Sequence, residues 1–314
     1  CLLALALGVL ALGLSERPRA ASIPAGACAA LLVAMAFVAS PFGAGAAPFP
    51  TVLPNAALHA AVEAAAAGGR VYSPRMMRRG QHLLSELRLV PGFESSLRPK
   101  RVGRLLDDAG LGEALIGETD WGRVGAHHAL VDLIGVSLVV PEGHRALRGF
   151  TFDVWLPDEG PAWRNPSALP RAFVVHDARA AATPEEAHAA VTDPAFRPGE
   201  EAVVEAPLPA LAPPVGKERV ALVVDEPERV TVAAEVTAPA LLVLTDSFFP
   251  GWEARVDGTR TPILRADYAF RGVALGAGEH RVEFRYRPWS FYGGVFLAAG
   301  AFVVALGAAL RRRA

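Results

Sequence analysis

The chain has 314 residues, 52% of them hydrophobic, with a mean hydropathy of +0.29 and a formal net charge of -1. That balance leaves no basic footprint for nucleic acid and no acidic tail, and it is too apolar for an ordinary soluble domain. The only cysteines, Cys1 and Cys28, fall in apolar end segments, so the long middle has neither disulfides nor thiolate metal sites.

Leu2–Leu14 is an apolar run too short to span a bilayer, whereas Ile23–Ser40 is long enough to be a membrane helix. The basic loop SERPRAA between them carries Arg17 and Arg19, which the positive-inside rule places in the cytoplasm. A competing reading makes residues 17–47 a signal peptide with AGAA as its cleavage site, but it leaves the upstream apolar run unexplained. With no initiator Met, the chain reads as a fragment entered partway through a helix. Trp289–Leu310 holds 22 residues without a charge and is followed by three arginines. The expectation is a bacterial cytoplasmic-membrane protein with residues 44–288 outside and its C-terminus in the cytoplasm.

Between Ala56 and about Val140 the apolar spacing is mostly helical. RMMRRGQHLLSELRLV puts Met76, Leu83, Leu84 and Leu87 on one face, and RPKRVGRLLDDAGLGEALIG does the same with Val102, Leu105, Leu106 and Leu115. Pro91-Gly92 ends the first helix, Pro99 begins the second, and HHALVDLIGV leads into a strand, SLVV. FTFDVWL, RAFVVHD and EEAVVEA read as strands around a short helix at PEEAHAAVTD, where Thr183 and Glu186 have capping-box spacing. APLPALAPPVG looks like a linker. From Glu218 to Tyr286 the period falls to two, with about seven strand candidates and the hairpin signal Asp257-Gly258. The predicted organisation is membrane helices over 1–43, an extracytoplasmic α+β region over 44–210, a small antiparallel β-sandwich over 211–288, and a final membrane helix over 289–314.

Several ordered blocks carry a resemblance: RVYSP (70–74), LVDLIGVSLVV (130–140), PRAFVVHDA (170–178) and DSFFPGWEARVDGTRTPILRADYAFRGVALGAGEHRVEFRYRPWSFYGG (246–294). In these, residues 56–310 resemble the bacterial YfhO-type membrane proteins. The resemblance implies a GT-C-like membrane glycosyltransferase, which passes sugar from a polyprenyl-phosphate carrier to an envelope acceptor outside the cytoplasmic membrane. It implies membrane lipid, a polyprenyl-phosphate-linked sugar and a cell-envelope glycan as partners, with no nucleic acid and no cofactor. Because the acidic catalytic residue of such enzymes is expected in the first exterior loop of the full protein, upstream of this fragment, no catalytic residue is assigned. The alternative is a non-catalytic, membrane-anchored module that binds glycans or holds a partner membrane glycosyltransferase.

The local chemistry agrees with either reading. There is no Asp-x-Asp pair, no nucleophile elbow and no phosphate-binding glycine loop. His127-His128 with Asp132 is the best metal candidate, but adjacent histidines face different sides of a helix and no metal is expected. Asp107-Asp108 reads as a solvated helix face. The candidate substrate-binding residues are Arg70, Tyr72, Trp252, Arg265, Asp267 and Arg271. Trp252 could stack on a sugar, but it shares a strand face with Ala254 and Val256, which favours core packing. Arg265 and Asp267 could bind hydroxyls or phosphate, or equally hold a strand turn through side-chain hydrogen bonds.

Overall fold

The computed structural model describes residues 56–66, 68–74, 88–90, 99–112, 119, 121–126, 128–142, 147–156, 159–207 and 209–311. The expected N-terminal membrane helices, most of the helix at 75–90 and the terminal arginines Arg312 and Arg313 lie outside these residues.

Helix α1 (Ala56–Ala66) precedes a four-stranded sheet built from β1 (Arg70–Tyr72), β2 (Val136–Val139), β3 (Thr151–Leu156) and β4 (Gly160–Arg164), in the order β1-β2-β4-β3. Leu58 and Val62 of α1 pack on Leu138, Leu156 and Ala162 of this sheet. Between β1 and β2 run α2 (Lys100–Asp108), α3 (Trp121–Ala126) and α4 (His128–Ile134). Pro99 stands at the N-cap of α2, as its fixed φ suits, and Leu105 and Leu106 are the helix's buried residues. The helical pattern read upstream of Val140 is thus interrupted at 70–72, where a short strand pairs parallel to β2. Three residues are too few for a period to register.

Downstream come β5 (Ala172–Val175), β6 (Asp177–Ala180), α5 (Pro184–Thr192), β7 (Glu201–Val204), β8 (Arg219–Glu226), β9 (Arg229–Val236), β10 (Ala240–Ser247), β11 (Trp252–Val256), β12 (Thr259–Thr261), β13 (Leu264–Ala266), β14 (Phe270–Leu275) and β15 (Gly278–Tyr286). Helix α5 has the expected start: Thr183 Oγ1 accepts from Glu186 N at 3.1 Å and Pro184 occupies the first turn. The Glu186 carboxylate reaches back to Ala182 N at 2.8 Å, one residue before the cap.

The sandwich consists of a five-stranded sheet, β12-β11-β15-β9-β8, facing a six-stranded sheet, β5-β10-β14-β13-β7-β6. Val232, Leu242, Leu244, Val273, Val282 and Phe284 fill the space between them. The region is rich in antiparallel pairs, as read. The second sheet, however, takes β5, β6 and β7 from upstream of residue 211, so the sandwich is not confined to 211–288. Its far face is covered by α2, α4 and α5 through Leu105, Leu130, Leu133 and Val191. Being covered on both sides, β10 is apolar from Ala240 to Leu244 without alternation. Pro262 lies where the expected strand TPILRA divides, β12 joining one sheet and β13 the other.

Two turns in the 245–260 stretch follow their residue types. Asp257 (φ 51) and Gly258 (φ 83) form a two-residue loop between the paired residues Val256 and Thr259, the twist-matched hairpin geometry. Gly251 has φ 102, and a Cβ there would lie 2.9 Å from Tyr286 Cε2. Its carbonyl accepts from Arg287 N at 2.6 Å, which ties the corner to the end of β15. Gly251→Ala is therefore expected to cost about 2 kcal/mol, through a positive φ and a clash together, measured as a lowered denaturation midpoint; an unchanged midpoint would contradict this.

The chain closes with α6 (Trp289–Arg311), a helix of 23 residues. Its side chains are described as far as Ala301 and again at Arg311, and among the described residues no helix is long and apolar enough to cross a membrane.

Candidate functional site

The polar cleft of this fold is created by an irregularity in β10. Leu244 pairs with Arg271 and Ser247 with the next residue back along β14, Phe270, so Thr245 and Asp246 are left as a bulge. A bulge re-aims side chains at a strand's end, and here it presents a carboxylate to arginines from three other segments. Arg171, just before β5, donates from Nε to Asp246 Oδ1 and from Nη2 to Oδ2, both at 2.7 Å. Arg70 of β1 reaches Oδ1 at 3.2 Å, and Arg271 of β14 reaches Oδ2 at 3.3 Å. Arg70 also donates to Thr245 Oγ1 and Thr245 O, each at 2.8 Å, and to Ile134 O.

A second carboxylate extends the cluster. Asp225 of β8 accepts from Arg171 and from Arg88. Burial, only partly offset by Asp246, lowers the pKa of both Arg70 and Arg271 to about 10, with the neighbouring Arg171 charge lowering them further. Burial pushes Asp246 up, but the hydrogen bonds and charges of Arg171, Arg271 and Arg70 outweigh it and leave the carboxyl below its usual value.

Trp252 forms one wall. Its ring lies 3.8 Å from the Arg271 guanidinium carbon and 5.4 Å from the Tyr286 ring centre. It is neither fully buried nor free: it packs against the sandwich core and also lines the cleft. The core and ligand readings of this residue are therefore compatible. The cleft has two lobes that share Arg70, Asp246, Trp252 and Arg271. One, of about 650 Å³, is lined by Arg88, Arg171 and Asp225. The other, of about 560 Å³, is lined by apolar residues that include Leu105, Leu106, Ile134 and Phe249.

Of the six candidate residues, Arg70, Trp252 and Arg271 converge here, from strands 182 positions apart at Arg70 and Trp252. The other three are elsewhere. Tyr72 is fully buried, its hydroxyl bonded to Thr119 Oγ1 at 2.8 Å. Arg265 lies over the Phe248 ring at 4.1 Å, with Glu205 3.9 Å away. Asp267 is fully buried beside β7: its amide donates to Val203 O at 2.7 Å and its Oδ1 accepts from Val203 N at 2.8 Å. That is the strand-turn bonding that its residue type allowed. Asp246, Arg171, Arg88 and Asp225 were missed as candidates, although Asp246 and Arg171 stand within two of the quoted blocks.

His128 Nδ1 bonds the Asp132 carboxylate at 3.1 Å and its ring meets Phe150 edge-on, while His127 is outside the described residues. Among the described residues no three His, Cys, Asp or Glu side chains gather as a metal site.

Comparison with known proteins bears on the C-terminal portion. The model of the family described as bacterial membrane protein YfhO matches residues 217–298, which take in Asp225, Asp246, Trp252 and Arg271. This C-terminal portion belongs to the YfhO family. No curated protein and no solved structure matches the chain. The YfhO match runs from the linker's end through β8–β15 into α6, so half of the cleft is family territory, while Arg70, Arg88 and Arg171 are supplied from upstream of it.

Proposed function

We propose that this chain is the C-terminal part of a membrane glycosyltransferase-like protein, moving sugar from a polyprenyl-phosphate donor to a cell-envelope acceptor outside the cytoplasmic membrane. The observation that carries this reading is the convergence of Arg70, Arg271 and the half-buried Trp252 ring on one cleft, beside a helix that leaves the sandwich directly. A half-buried indole ring with planar hydrogen-bond donors next to it, Arg271 lying over the ring, suits a pyranose and its hydroxyls. The 22 uncharged residues Trp289–Leu310, read from the sequence, would be the span, about 33 Å long at 1.5 Å per residue. The exposed Trp289, Phe291 and Tyr292 suit its outer interface, and the arginines after Leu310 suit its cytoplasmic end. The sandwich then stands outside, with its cleft available to envelope substrates.

The test is a glycan analysis of the envelope from cells lacking the gene, complemented with wild type or with Trp252→Ala. Loss of one glycan decoration on deletion, restored by wild type and reduced at least fivefold in the variant at equal protein level, is the expected result. An unchanged glycan profile on deletion would reject sugar transfer, and would favour the scaffold alternative if a partner enzyme is lost from the membrane. A phosphatase fused after Gly216 is expected to be active; an inactive fusion would reject the orientation.

A further inference from the structure

The geometry points to an oxyanion site in this cleft, formed by Arg70, Arg88, Arg171 and Arg271, for a phosphate-class group. It deepens the reading of the same cleft given above, and it rests on charge and position alone. Four guanidinium groups meet two carboxylates, Asp225 and Asp246. The remaining acid on the lining, Glu226, is largely exposed and engaged by Arg229 at 3.1 Å. Among the described residues, two positive charges are therefore left unmatched in a partly desolvated space.

A purely structural cluster would pair its charges, since an unmatched buried charge costs several kcal/mol. Here the fold brings like charges together from four separate segments and holds them. Asp246 grips three of the arginines, the Arg171 contact is bidentate, and Arg70 is further fixed by Thr245 and Ile134 carbonyls. Arg271 is 3% exposed, yet its Nη1 has no partner among the described residues. Rigid guanidinium forks with spare donors match the tetrahedral face of a phosphate, which accepts through several oxygens at once. The apolar lobe adjoining the arginines gives the ester side of such a group a place to lie. A free phosphate would use the polar lobe alone, whereas a lipid phosphate would fill both.

The full chain in phosphatidylcholine nanodiscs is titrated with sodium pyrophosphate and, separately, with farnesyl phosphate, by calorimetry at low salt. Saturable binding is expected. Arg88→Gln, a half-exposed position, should weaken it at least fivefold, and Asp225→Asn should strengthen it by a similar factor. If the arginines were only struts, removing Asp225 would not tighten binding. Farnesyl phosphate binding tenfold or more tightly than pyrophosphate identifies a lipid source; equal or weaker binding identifies a free phosphate. No saturable binding of either probe by wild type that unfolds cooperatively overturns the site, as does Asp225→Asn binding no better than wild type. Binding with an unaltered envelope glycan profile in the deletion strain keeps the site and rejects sugar transfer. An altered profile without binding does the reverse.

Discussion

Asp246→Asn is expected to lower the unfolding free energy by about 3–5 kcal/mol at neutral pH, the range for removing one partner of a buried ion pair. The carboxylate is the shared acceptor for Arg70, Arg171 and Arg271, and an amide can neither neutralise them nor accept from all three. Because those arginines sit on β1, before β5 and on β14, the loss falls on the junction of the four-stranded sheet with the sandwich. The pH dependence has a definite sign. With the folded pKa held below the model-peptide 3.8 by Arg171, Arg271 and Arg70 against burial, the contribution is fully present above about pH 4. It is lost as pH falls through the lower folded value. Denaturant unfolding of wild type and variant should therefore differ by a constant amount from pH 8 to about pH 5 and converge only in stronger acid. A difference under 1 kcal/mol at pH 7 would contradict the role given to Asp246.

Asp267 should behave oppositely. Burial, and secondarily the Glu201 charge, raises its pKa from 3.8 to about 7, against the lowering effect of the Val203 hydrogen bond. The folded state then holds a proton that the unfolded chain has released, so stability falls as pH rises from about 4 to about 7 and stays low above that. The full displacement corresponds to about 4 kcal/mol. Asp267→Asn removes the charge but leaves an amide NH2 with no acceptor, since Oδ2 has no partner among the described residues, a cost of about 1–3 kcal/mol. The variant should thus be about 1–3 kcal/mol more stable than wild type at pH 8 and flat between pH 4 and 7. Asn also tolerates the left-handed backbone at this position, φ 46. A wild-type profile without decline over that window would refute the raised pKa. Asp267 and Tyr268 both have positive φ, and the bonds to Val203 hold that turn against β7.

Legibility followed the range of the interaction. The α5 cap, the Asp257-Gly258 hairpin, the Pro250-Gly251 corner and the alternation of β15 are decided within a few residues, and each was readable. Val282 and Phe284 are fully buried because period two is all that a half-covered strand requires. Strand β1 was hidden in a helical region because its partner β2 lies more than 60 residues away. The polar cleft was half readable: Trp252 and Arg271 drew attention as residue types, but Asp246 did not, since an isolated aspartate before two phenylalanines has no local signature.

By itself the sequence determined the membrane-like apolar ends, the antiparallel character of 218–286 and the family of its C-terminal portion. Those are properties of composition, short period and ordered motif. Only the tertiary structure decided that β5, β6 and β7 complete the sandwich, and that four arginines from distant segments surround Asp246 and Asp225. Strand partnership depends on which exposed edge is free to pair, and a charge cluster depends on where distant chains return. Neither is written in any one stretch of residues.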